Sequence, residues 1–169
     1  MPDRRTALLA ELEEARAAFL SALDDVDADL VLVPGVVEDW SVRDLVVHLA
    51  AWAEHATDAI GLATAGRGDE FAYSTGDTDR MNEEHHAEAQ RTAPQRALER
   101  EDAAFGAMRE AVSMLDTELL SLRLGNGDSV EEVIRYDGPD HYAEHTTHLR
   151  SWFAPDEDDD DEPDEDGGA

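Results

Sequence analysis

Apolar residues recur every three or four positions along four long stretches of the chain, which is the period of an amphipathic α-helix. These stretches cover about residues 6–23, 41–65, 94–115 and 129–152. The last one is interrupted at Gly138-Pro139, a pair that favours a kink or a break. Because the alternation typical of strands is nearly absent, the pattern predicts an all-α four-helix bundle.

Residues with strong end preferences mark several helix boundaries. Ser41 with Asp44 and Ser129 with Glu132 each have the spacing of a capping box, so a helix should begin after each serine. A short acidic helix is expected over about residues 78–90. The third long helix is expected to bury Leu98, Phe105, Met108, Val112 and Leu115, and to leave Arg96, Arg100, Glu101 and Arg109 in solvent.

Composition divides the chain into one domain and a tail. The 169 residues can bury a single core, predicted over residues 1–153. Residues 154–169 contain ten carboxylates and should be a disordered acidic tail, because they offer almost no apolar surface to bury. Without those ten, the rest of the chain still has 32 acidic against 13 basic residues, and every basic residue is Arg. Such a surface is typical of a halophilic protein.

The same charge excludes several functions at the level of sequence. A formal charge of −29 without a basic patch predicts no nucleic-acid partner and no anionic-membrane partner. No apolar run is long enough to span a bilayer, so a cytoplasmic location is expected. Because the chain has no Cys, any metal must be held by His and carboxylate groups.

Histidines supply the candidate chemistry. His141, His145 and His148 fall within about 60° of one another around a helix, so they form one stripe. His48 and His55 form a second stripe that could face the first across the bundle. His55 is expected at a surface or interface. The adjacent residues His85 and His86 point about 100° apart and are expected in solvent.

Two motifs resemble the DinB-like superfamily, and within it the ClbS/DfsB-type bundles. The first runs from Pro34 to Trp52 as PGVVEDWSVRDLVVHLAAW, and the second comprises HYAEH at residues 141–145 with Arg150-Ser-Trp152. The resemblance spans about residues 5–153 and includes Asn82. It implies an up-down-down-up bundle, commonly a homodimer, and in many members a divalent metal held by one His of the second helix and two His of the last helix. Relatives include thiol-dependent transferases and isomerases, and proteins that open a reactive ring in a genotoxic metabolite.

Carrying the metal ligands onto this chain leaves the last helix ambiguous. His48 matches the second-helix ligand. In the register of the flanking motif the other two would be His145 and position 149, which is Leu149 here. A triad shifted by one turn, with His141 and His145, keeps the four-residue spacing. The metal candidates are therefore His48, His141, His145 and His148, and the catalytic candidates are His145, Glu144 and Tyr142.

Three interpretations of the histidines follow. Zinc, nickel, iron or manganese could be the cofactor of a small-molecule hydrolase or transferase with a detoxifying, self-protective role. Without metal, His145 could act as a general base with His48 or Glu144. Alternatively the histidines are structural, and the bundle binds or sequesters a small molecule without catalysis.

Overall fold

Six α-helices, joined by loops and short 3-10 turns, make up residues 1–153, which are the residues that this computed structural model describes. They are α1 (Arg4–Asp24), α2 (Val42–Thr64), α3 (Thr78–Ala89), α4 (Pro94–Met114), α5 (Val130–Asp137) and α6 (Pro139–Trp152). Within this part of the chain no β-sheet forms, and only two isolated β-bridges occur. The predicted all-α bundle is confirmed, with α5 and α6 together forming its fourth helix.

Two helix pairs build the bundle. Helix α1 packs mainly against α6, α2 packs mainly against α4, and the short helix α3 lies against α2. Their shared interior is apolar, and its burial is the main force that holds the helices together. The largest fully buried apolar side chains include Leu8, Leu12, Phe19, Leu45, Leu49, Met108, Ile134 and Leu149.

Both predicted capping boxes are present. The Ser41 hydroxyl accepts from the Asp44 amide at 3.3 Å, and the Asp44 carboxylate accepts from the Ser41 amide at 2.9 Å. Ser129 and Glu132 make the same reciprocal pair at 3.2 and 2.6 Å. Each box satisfies two amides that would otherwise lack partners at a helix start.

The break between α5 and α6 is confirmed at Gly138. A Cβ at this position would lie 2.6 Å from the Ile134 carbonyl oxygen and 2.7 Å from the Met108 side chain. Glycine therefore allows the two helices to approach α4 closely, and Pro139 then begins α6 with its φ already near a helical value. This turn sets where the His141 segment starts.

Helix α4 departs from the predicted pattern at its first turns. Leu98 is 39% exposed, whereas Glu101, which was expected in solvent, is only 2% exposed. The buried face at this end consists of Ala97, Glu101 and Ala104. It is rotated about the helix axis relative to the buried face that the sequence predicted. Burial of the carboxylate is offset by Arg16, which donates to it twice, at 3.0 and 2.8 Å.

Charged groups pair extensively, at the surface and below it. All thirteen arginines fall within residues 1–153, and eleven of them form ion pairs with carboxylates. The predicted disordered tail, residues 154–169, lies outside the described part of the chain. Inside that part, none of the helices combines the length and apolarity needed to cross a membrane.

Candidate metal centre

Three histidines from two helices converge in the bundle. His48 on α2 and His141 and His145 on α6 each bring a ring nitrogen to within 4.8 Å of the other two. Their side chains are buried, with residue exposures of 5%, 9% and 6%. Leu149 is fully buried in the apolar core. The three histidines that meet are therefore those of the triad shifted by one turn, and position 149 does not contribute a ligand.

The cluster is compact. The Nε2 atoms of His48 and His141 lie 2.8 Å apart, and the ring centroid of His145 lies 5.1 Å from that of His48 and 4.7 Å from that of His141. Two nitrogens bound to one tetrahedral zinc at about 2.0–2.1 Å would lie roughly 3.3 Å apart. The first two ligands would therefore need to separate by a few tenths of an ångström to hold an ion.

Burial keeps these imidazoles neutral. Desolvation lowers the pKa of His48 far below its ordinary value, and the neighbouring histidines add to the effect. The same cause lowers the pKa of His141 to about 4 and that of His145 to about 2. Because metals bind the neutral form of imidazole, the three side chains have the protonation state of ligands at neutral pH.

The Nδ1 atoms of the three histidines differ in their partners. His145 Nδ1 lies 3.1 Å from Nδ1 of His148, whereas Nδ1 of His48 and Nδ1 of His141 are buried without a hydrogen-bond partner among the described residues. A metal-binding His commonly donates its second nitrogen to an outer partner. The donor set fits a transition metal, and only His145 has such an outer partner.

A cavity of about 750 Å³ opens beside the cluster and is lined by all three histidines. Its volume is in the range of small-molecule sites. Aromatic rings from the loop before α2, from α2, from the loop before α3 and from α5 form part of its wall, namely Trp40, Trp52, Tyr73 and Tyr136. The arrangement combines a buried set of neutral donors with an open space for a ligand.

The other predicted site residues take different places. His148 lines the cavity but stands outside the converging set. Glu144 lines the cavity from an exposed position on α6. Tyr142 does not line it, because its ring is fully buried between Phe19 and Phe105. Its hydroxyl donates to Glu101 at 2.5 Å. The prediction that Tyr142 is catalytic is therefore wrong, and Tyr142 is a core residue.

The sequence did not predict a second polar pair, which lies beside the cluster. His55 Nδ1 lies 2.6 Å from the Asp137 carboxylate, and Asp137 lines the cavity at 1% exposure. Burial raises the pKa of Asp137 to about 6, and the bond to His55 opposes that rise. The His55 side chain, expected at the surface, is 14% exposed. Its place seven residues after His48, on the same helix face, was the available signal.

An amide is also fixed at the cavity wall. The Trp52 indole N–H donates to the Asn82 side-chain oxygen at 3.0 Å. An indole can only donate, so this contact assigns the oxygen and leaves the Asn82 NH₂ group as a donor at the cavity. Asn82 is therefore a candidate for binding a ligand oxygen.

The expectation that His85 and His86 lie in solvent is wrong. Both are half-buried because α3 lies across α2. The His86 ring stacks on Trp40 with 5.1 Å between centroids, and His86 lines the cavity. The His85 ring centroid lies 5.9 Å from that of His48. The two adjacent residues thus contact different side chains of the site, His86 contacting Trp40 and His85 contacting His48.

Comparison with known proteins identifies the family. The model of the mycothiol maleylpyruvate isomerase N-terminal domain matches residues 33–150, which is more than half of the chain. The chain belongs to this family. The predicted DinB-like relationship is thereby confirmed. A search of curated protein sequences finds no match.

Solved structures share the fold at low sequence identity. An uncharacterised protein from Escherichia coli UTI89 superposes with a TM-score of 0.75 at 16% identity, covering 90% of this chain and 94% of that one. The colibactin self-resistance protein ClbS, in complex with double-stranded DNA, gives a TM-score of 0.75 at 15% identity, covering 89% and 96%. The predicted similarity to ClbS-type bundles is confirmed for the fold.

The ClbS structure also corrects the prediction about nucleic acid. Net charge led to the expectation of no nucleic-acid partner, but a protein of this fold is found in complex with double-stranded DNA. The prediction that net charge excludes a nucleic-acid partner is therefore wrong. Net charge describes the whole chain, whereas a binding surface depends on the local arrangement of charges.

Proposed function

We propose that this protein is a metal-dependent small-molecule hydrolase or transferase whose metal is held by His48, His141 and His145. The observation that carries the proposal is the convergence of three buried ring nitrogens, within 4.8 Å of one another, beside an open cavity. Catalytic metal sites commonly combine three protein ligands with an open position. Zinc, nickel and iron suit imidazole, and manganese is the less favoured alternative.

Each residue at the site has a defined part in this proposal. His48, His141 and His145 present neutral imidazoles, and His148 accepts the Nδ1–H of His145 so that the other nitrogen of His145 stays available. When bound, the metal would supply Lewis-acid polarisation of a substrate oxygen or activation of water. Asn82 donates to a ligand oxygen from the cavity wall, and exposed Glu144 is the candidate proton acceptor beside His145.

The names of the relatives support a protective role. The family is named after a mycothiol maleylpyruvate isomerase, and the neighbour ClbS is named for self-resistance to colibactin. For this chain we propose a reaction that removes a small reactive molecule. Since it has no Cys, any thiol must come from a cosubstrate.

The contrasting proposal is a bundle that binds or sequesters a small molecule without catalysis. The observation that favours it is the 2.8 Å separation of the His48 and His141 nitrogens, a distance at which one imidazole can donate to the other without any ion. Since ClbS is found with double-stranded DNA, a DNA duplex belongs among the ligands to be tested for either proposal.

Metal content, measured by elemental mass spectrometry, tests the first proposal. We expect about one equivalent of a transition metal, lost in His48→Gln, His141→Gln and His145→Gln, and retained in His86→Gln, which alters a cavity histidine outside the triad. A variant ending at residue 153 should retain the metal, which would show that the acidic tail is not the binding site. A protein that takes up no zinc, nickel, iron or manganese would favour the sequestering alternative.

A further inference from the structure

We propose that the cavity selects a cationic small molecule, an amine or quaternary ammonium compound that also carries an oxygen for the metal. This inference rests on the proposed function, because it assigns the substrate class of the same site. It is drawn from the charges and aromatic rings that line the cavity rather than from its histidines.

The charged residues that line the cavity are all acidic, apart from its histidines. None of the thirteen arginines, all of which are described, lines it. Only one of the six lining carboxylates, that of Asp137, forms an ion pair with a described residue. The other five are Glu38, Asp39, Asp79, Glu83 and Glu144.

These five carboxylates are exposed and line the cavity from three segments of the chain. Glu38 and Asp39 belong to the loop before α2, Asp79 and Glu83 to α3, and Glu144 to α6. Like charges arranged around a concave wall focus the potential into the cavity. The cavity therefore attracts cations and disfavours phosphates and carboxylates.

Unpaired acidic residues are common on this chain, so the absence of arginine is the informative feature. Elsewhere in residues 1–153, eleven arginines neutralise carboxylates. On α3 itself, Arg80 pairs with Asp77 and Glu84, neither of which lines the cavity. The neighbouring Asp79 and Glu83, which do line it, have no such partner among the described residues.

Aromatic rings give a second, independent reason. Trp52 and Tyr73 lie 5.6 Å apart between ring centroids, and Tyr136 lies 6.3 Å from Tyr73, so three rings form one continuous part of the wall. Aromatic faces attract ammonium groups, and clusters of them are used to bind quaternary ammonium compounds. The metal centre would repel a cation, so the ammonium group would lie toward the carboxylates with the oxygen toward the histidines.

Three matched probes test this inference on the full-length protein, after incubation with zinc, by titration calorimetry at constant ionic strength. They are choline, its neutral isostere 3,3-dimethyl-1-butanol and the anion 3,3-dimethylbutanoate. Choline is expected to bind about tenfold or more tightly than the alcohol, and the anion more weakly still. Added KCl should weaken choline binding and leave binding of the alcohol unchanged.

Two double variants link the preference to the cavity. Asp79→Asn with Glu83→Gln should reduce the preference for choline over the alcohol by about fivefold. Asp58→Asn with Glu110→Gln removes the same charge from exposed positions outside the cavity and should preserve the preference. Equal binding of choline and the alcohol, no choline binding, or the same loss in both double variants would overturn the inference.

Zinc uptake, measured on the same samples, separates the two proposals. Zinc binding without a preference for choline would refute cation selection and leave the metal proposal standing. A preference for choline in protein that takes up no zinc would support cation selection and refute the proposed metal function.

Discussion

The side chains of His48 and His141 meet with 2.8 Å between their Nε2 atoms, although 93 positions separate them in the chain. Both are buried and have lowered pKa values, so neither is protonated at neutral pH. This relationship distinguishes the site from a solvated histidine stripe, in which each ring would titrate near its ordinary pKa.

Acid should destabilise the metal-free protein through these histidines. The folded-state pKa of His141, about 4, lies below its ordinary value of 6.5, so the unfolded chain takes up the proton first. The stability is therefore fully present above pH 6.5 and falls as the pH drops toward 4. Across this window the free energy of unfolding of wild type should fall relative to that of His141→Gln by up to about 3 kcal/mol.

Urea denaturation at several pH values, with a chelator present, measures this effect. Acid also protonates carboxylates and so weakens the repulsion between them, which changes the free energy of unfolding of both proteins alike. The difference between wild type and the variant is therefore free of this effect. A constant difference between pH 6.5 and 4 would mean that His141 is not kept neutral by burial.

Removing Arg16 should cost far more stability than removing an exposed arginine. Arg16→Met leaves the buried Glu101 carboxylate without its ion-pair partner and should destabilise the fold by about 3–5 kcal/mol. Arg109→Met removes an exposed pair with Glu13 and should cost less than about 1 kcal/mol. Chemical denaturation of both variants tests the contrast, and equal losses would contradict the role assigned to Glu101.

Two glycine substitutions should change stability in opposite directions. Gly138→Ala places a Cβ 2.6 Å from the Ile134 carbonyl oxygen and should cost about 1–3 kcal/mol. Gly106→Ala, inside α4, meets no atom within 4 Å and should stabilise by about 0.5–1 kcal/mol. Thermal unfolding of both proteins reports the signs, and a neutral Gly138→Ala would show that the α5–α6 turn can relax.

Salt should stabilise the protein, as proposed from its acidic composition. Residues 1–153 carry 32 acidic and 13 basic side chains, so screening removes more repulsion than attraction. The melting temperature should rise by several degrees between tens of millimolar and molar KCl, in full-length protein and in a variant ending at residue 153. Unchanged stability and monodispersity across that range would argue against a halophilic protein.

The helices and the pairing of His141 with His145 on one helix face could be predicted, because both depend on local spacing. The serine caps and the Gly138-Pro139 break follow from backbone chemistry, and the four-residue spacing of His141 and His145 places them on one helix face. Choosing between His141 and position 149 as the second ligand required the relative placement of α2 and α6, which is a property of the packed core.

The remaining site residues depended on contacts between distant segments. The burial of Glu101 requires Arg16, and the position of Asp137 requires His55. Neither pair has a spacing that a sequence pattern could reveal. The half-buried state of His85 and His86 depends likewise on how α3 lies against α2, which the spacing of apolar residues did not predict.

Tyr142 and His141 are neighbours on α6, yet one contacts the core and the other contacts the cavity. The three converging histidines thus lie on α2 and α6 of the bundle, whereas four of the five exposed carboxylates that line the cavity belong to α3 and the loop before α2. Substitution of these exposed acidic residues would change the charge of the cavity wall without replacing a residue that contacts His48, His141 or His145. Under the proposed function, substrate preference could therefore diverge during evolution while the three histidines are kept.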